Sequence, residues 1–139
     1  MSEALRSYSI EVGVSRVFAW QYRTDVSKWN DPPAVFALDG PFEAGSRGTT
    51  LIPGQAPMQW RVGEVSAGER FAIEMPLHGA MLVFEWRFEE LSAQRTRMTQ
   101  SIVLSGDQAA AYAPQVEAGF GATLADGMRR IAADMEAAG

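Results

Sequence analysis

Polar and apolar residues alternate from Ser7 to Val12, with Tyr8, Ile10 and Val12 set against Ser7, Ser9 and Glu11. This period of two predicts a β-strand with one buried face. Ser15 then stands where a helix N-cap belongs, with Val14 before it and Val17, Phe18 and Gln21 in the segment that follows. A second short helix is expected around Asp25–Trp29. Asp31-Pro-Pro33 ends it, because proline lacks an amide donor and restricts the residue before it.

From Val35 to Leu104 short strand-like runs are separated by turn residues, which predicts hairpin connections. The runs are Val35–Leu38, Gly48–Ile52, Met58–Val65, Arg70–Met75, Ala80–Leu91 and Arg97–Leu104. In the longest, Leu82, Phe84, Trp86 and Phe88 fall on one face and Glu85, Arg87 and Glu89 on the other, so one face is core and the other meets water. The last run puts Met98, Gln100, Ile102 and Leu104 on the inward set, where Gln100 is the polar exception.

After Gly106-Asp107 the pattern becomes helical to the end. At about 100° per residue, Val116, Phe120, Leu124, Met128, Ile131 and Met135 fall within an arc of roughly 120°, which predicts one long amphipathic helix. Gly119, Gly121 and Gly127 each cost such a helix about 1 kcal/mol relative to alanine. Gly127 projects near the centre of the apolar arc, consistent either with close approach to a sheet or ligand or with a thin, flexible helix.

The order of elements predicts an α+β domain spanning residues 1–139: a curved antiparallel sheet of about six to seven strands wrapped around a long C-terminal helix, with two short helices after the first strand. One helix cannot fill the concave side of such a sheet, so large side chains or a ligand must occupy the remainder. The inward sets place Trp60, Phe71, Ile73, Met75, Phe84, Trp86, Met98 and Phe120 around that space, where they either line a cavity or fill a core. Trp60 and Trp86 carry N–H groups that need partners when buried, and a polar ligand edge is one candidate.

Composition narrows the chemistry. Twelve basic against seventeen acidic residues give a net charge of −5, with no basic run to neutralise phosphates, so nucleic acid is not an expected partner. Absence of cysteine removes disulfides, thiolate metal sites and thiol nucleophiles. The single histidine, His78, sits in the turn-like Pro76-Leu-His-Gly79, which excludes histidine-rich metal sites and makes a Ser-His-Asp triad a poor fit. No metal and no cofactor is expected. The longest stretch without Asp, Glu, Lys or Arg, Gly48–Trp60, falls short of the about 20 apolar residues of a membrane span. The charged start, Met1 to Arg6, is unlike a signal peptide. A cytoplasmic protein is expected.

The chain resembles the polyketide cyclase/dehydrase branch of the START-like, or SRPBCC, superfamily, with the helix-grip fold of birch-pollen-allergen-type proteins. The resemblance covers nearly the whole chain. It rests on Ile10–Phe18, Thr24–Trp29, Leu38–Gly45 with Gly48, Trp60–Val65, Thr96–Thr99, Leu104–Gly106 and the helix from Leu124 to Glu136, in that order and spacing. It implies a deep, mostly apolar cavity between the sheet and the long helix that takes up hydrophobic or aromatic small molecules. It does not imply one reaction.

Three polar residues are candidates for contact with such a ligand. Gln100 needs hydrogen-bond partners on its inward face, Tyr112 is expected near the cavity mouth, and Glu117 falls in the apolar arc where a helix start would favour a carboxylate. The leading expectation is binding of a lipid- or polyketide-like molecule, oriented by Gln100, Trp60 and Tyr112. One alternative is a polyketide cyclase/dehydratase-type enzyme with Glu117 as its base. Another is a co-chaperone-like or membrane-associated protein-interaction domain. A homodimer is compatible with each.

Overall fold

A computed structural model describes residues 3–139. Strand β1 (Glu3–Val12) is followed by helix α1 (Arg16–Arg23) and a 3₁₀ turn (Val26–Lys28). Strands β2 (Val35–Leu38), β3 (Arg47–Leu51), β4 (Met58–Ser66), β5 (Arg70–Leu77), β6 (Ala80–Ser92) and β7 (Arg95–Ser105) form a meander. The chain ends in α2 (Ala109–Val116), a π turn (Glu117–Gly121) and α3 (Leu124–Ala138). All seven strands belong to one antiparallel sheet in the order β1-β7-β6-β5-β4-β3-β2, so the first strand lies beside the last.

The alternation that predicts the strands also sets what they bury. On β6, Leu82, Trp86 and Phe88 are at most 2% exposed, while Glu85 and Arg87 face water. Ser15 caps α1 as expected, its Oγ accepting from the Phe18 amide at 3.1 Å. Trp20 then packs edge-on against Phe71 at 5.8 Å and Phe88 at 5.4 Å. Phe71 stacks in turn on Trp86 at 5.9 Å. Phe71 and Phe88 under α1 are therefore solid core, and Trp86 forms the edge of this layer.

The C-terminal segment departs from the single continuous helix that the pattern predicts. Pro114 removes a donor within α2, and Gly119 and Gly121 stabilise helix least, so the backbone widens to the π turn closed by the Ala122 amide on the Glu117 carbonyl at 2.8 Å. The Thr123 hydroxyl donates to the Gly119 carbonyl at 3.2 Å and helps satisfy the interrupted ladder. Beyond it α3 packs along β1, where its Glu136 carboxylate accepts from the Gly13 amide at 2.7 Å. Phe120, on the π turn, meets Phe84 of β6 edge-on at 5.1 Å.

One glycine is required by packing. Gly48 on β3 lies directly across the ladder from Trp60 on β4, and a Cβ there would stand 2.3 Å from the indole ring. The ring cannot slide away freely. Its Nε1 donates to Thr50 Oγ1 at 3.0 Å, and it stacks on Trp29 at 5.4 Å. Gly48→Ala is expected to cost about 2 kcal/mol, within the range for overpacking a well-filled site. Urea denaturation measures this, and a loss below about 0.5 kcal/mol would show that Trp60 yields without strain.

Candidate functional site

Helix α3 follows one edge of the sheet and α1 covers the β6–β7 side, so the inner faces of the middle strands are not covered by either. Between them lies a cavity of about 310 Å³, at the small end of the range of ligand sites. Trp60, Ile73, Met75, Phe84, Trp86 and Gln100 reach it from β4 to β7, and Phe120 reaches it from the π turn. Phe71 and Met98 do not; both are sealed in the core, at 2% and 0% exposure.

Alternation finds the inward face of a strand but not how deep each inward residue lies. Phe71 sits under Trp20 of α1 and Met98 is fully buried in the core, whereas Ile73, Phe84 and Gln100 border the cavity. Gln100 is half-buried, opposite Trp86 on β6 and Tyr8 on β1. Gly127 also lines the space. A Cβ added there meets nothing within 4 Å, so this glycine makes room in the cavity and does not serve close contact with the sheet.

The other polar candidates lie elsewhere. Tyr112 donates its hydroxyl to the His78 carbonyl at 3.1 Å, tying α2 to the β5–β6 turn outside the cavity lining. His78 is exposed in that two-residue turn. Glu117 stands at the junction of α2 and the π turn, two turns after the start of α2. Its carboxylate is paired with Arg6 on β1, and it is not among the cavity-lining residues. The Trp60 N–H, expected to seek a ligand, is answered by Thr50.

The most unusual group in the cavity is one that sequence reading passed over. Arg23, the last residue of α1, lines the space with its guanidinium carbon 4.3 Å from the Trp86 ring centroid and 4.6 Å from that of Trp29. Its backbone carbonyl accepts from Trp29 Nε1 at 2.8 Å, which fixes that indole beside the side chain it flanks. Its Nε is buried and unpartnered, and no carboxylate forms an ion pair with it among the described residues. Burial pulls its pKa down to about 9, which still leaves it cationic at neutral pH. An arginine in the last helical turn is an ordinary partner for the helix dipole, so nothing in the sequence singles it out.

The segment between α1 and β2 forms part of the rim. Asp31 there accepts from Arg130 of α3 at 3.1 Å, and both side chains are exposed, so the pair contributes at most about 1 kcal/mol. It is a weak clasp between two walls. Among the described residues, no group of three metal-ligating side chains converges, and no helix is long and apolar enough to cross a membrane.

No family model matches the sequence, and neither does any curated protein. Solved structures do match in shape. The chain is similar to the Zhui aromatase/cyclase from a Streptomyces species, with a TM-score of 0.75 at 14% identity over 98% of this chain and 94% of that one. It is also similar to a truncated norcoclaurine synthase from Thalictrum flavum, with 0.73 at 12% identity over 95% and 91%. A protein from Arthrobacter aurescens gives 0.71 at 20% identity over 93% and 84%. With its seven-stranded antiparallel sheet and long C-terminal helical segment, the chain shares the helix-grip fold of these structures.

Proposed function

We propose that this protein binds a hydrophobic or aromatic small molecule, lipid- or polyketide-like in character, in the cavity between the sheet and α3. The observation that carries this reading is the cavity itself, about 310 Å³ with walls of Trp, Phe, Ile and Met. Burying apolar ligand surface there contributes about 25 cal/mol per Å² before the costs of association. The similarity in fold to an aromatase/cyclase and a norcoclaurine synthase supports a small-molecule reading. Binding is favoured over base catalysis by Glu117, because Arg6 holds that carboxylate outside the cavity.

Gly127 supports the same reading in energetic terms. A helix interior glycine costs about 1 kcal/mol relative to alanine, and no close neighbour requires this one. The cost is offset if a guest occupies the space.

N-phenyl-1-naphthylamine, a neutral aromatic probe that brightens out of water, is expected to bind saturably at one site. Gly127→Leu should abolish that signal while the fold is kept. Gly127→Ala should raise Tm by roughly 3 °C and weaken the probe's binding. Unsaturable binding, or full binding by Gly127→Leu, would place the probe elsewhere and defeat the proposal. Gln100→Leu is expected to change preference between probes differing in one hydrogen-bonding group by about tenfold, with Tm moved by less than about 2 °C. A large Tm loss with unaltered preference would make Gln100 a core residue instead.

A further inference from the structure

The reading of the cavity as a small-molecule site leaves the chemistry of the guest open, and Arg23 narrows it. A guanidinium has five N–H donors, and burying them without acceptors is unfavourable. In this cavity two indole rings answer part of the charge, at 4.3 and 4.6 Å from the guanidinium carbon, but such contacts leave the hydrogen-bonding demand unmet. Of its nitrogens, Nε is sealed from solvent and unpartnered. The terminal nitrogens are the reachable donors.

The acids around the cavity do not answer it. Asp31 is engaged by Arg130, and neither Asp31 nor Asp134 pairs with Arg23. Gln100 is the direct ladder neighbour of Trp86, over whose ring the guanidinium sits, so an amide occupies the same patch of wall. A cation held in place by rings, with an amide nearby and apolar walls around both, matches a planar molecule whose aromatic body ends in a negatively charged oxygen.

We propose that Arg23 is the anion anchor of this cavity and that the guest is an aromatic or conjugated acid, bearing a carboxylate or the equivalent oxygen of an enolate or phenolate. The terminal guanidinium nitrogens donate to that oxygen, and the apolar body lies against the aromatic walls. Trp29 and Trp86 position the guanidinium. The Trp29 indole is itself held by the Arg23 carbonyl, so anchor and support form one unit.

The test is calorimetric titration with 2-naphthoate and 2-naphthamide, which share one ring system and differ in the charge of the head group. At pH 8, wild-type protein is expected to bind 2-naphthoate at least about tenfold more tightly, the scale of a hydrogen bond to a charged group. Arg23→Met should remove that preference while leaving 2-naphthamide affinity within about twofold. Should Arg23→Met not fold, Arg23→Lys is expected to keep part of the preference and Arg23→Gln to lose it. Equal affinities in the wild type, or a preference that survives loss of the cation, would overturn the anchor. If N-phenyl-1-naphthylamine binds and 2-naphthoate does not, the anchor alone falls. If none of the three binds, the binding function of the cavity falls and takes the anchor with it.

Discussion

A seven-stranded antiparallel sheet that curls around a single helix has more concave surface than the helix can cover. Here α3 runs along β1 at one edge and α1 presses its Trp20 onto Phe71 and Phe88, leaving the middle strands without a helical partner. Whatever those strands point inward must either meet across the gap or face it. Trp60, Phe84 and Trp86 are large enough to narrow the space but not to close it. The cavity is thus a consequence of topology, and its chemistry depends on which side chains fall opposite the gap.

Much of the scaffold was legible because it obeys a period. Two-residue alternation located the strands and their inward faces, and Ser15 marked the start of α1. The C-terminal helix was legible as a stripe, from Val116 to Met135, but not as a broken element. The break depends on Pro114, Gly119 and Gly121 acting together, and periodicity averages over them. Seven of the cavity-lining side chains were visible as inward residues, while Phe71 and Met98 look identical to them in sequence and lie in solid core.

The polar chemistry was far less legible. Glu117 attracted attention because it breaks an apolar arc, yet the partner that occupies it, Arg6, lies 111 positions away in the chain. Arg23 attracted none, because a basic residue ending a helix is unremarkable until two tryptophans from a loop and a distant strand close over it. Both cases have the same cause. What a charged group does is decided by what it meets, and those meetings are long-range. An exposed charge such as Arg130 can be read locally with little loss; a buried one cannot.

Four tryptophans are present, and Trp29, Trp60 and Trp86 line the cavity while Trp20 packs from α1 onto Phe71 and Phe88 of the sheet. Trp29 stacks on Trp60, and the Arg23 cation lies over both Trp29 and Trp86. Three of the four tryptophan emitters therefore stand around this cavity. Entry of any conjugated guest would change the polarity and quenching felt by three of the four emitters, so the molecule carries a built-in optical gauge of its own occupancy.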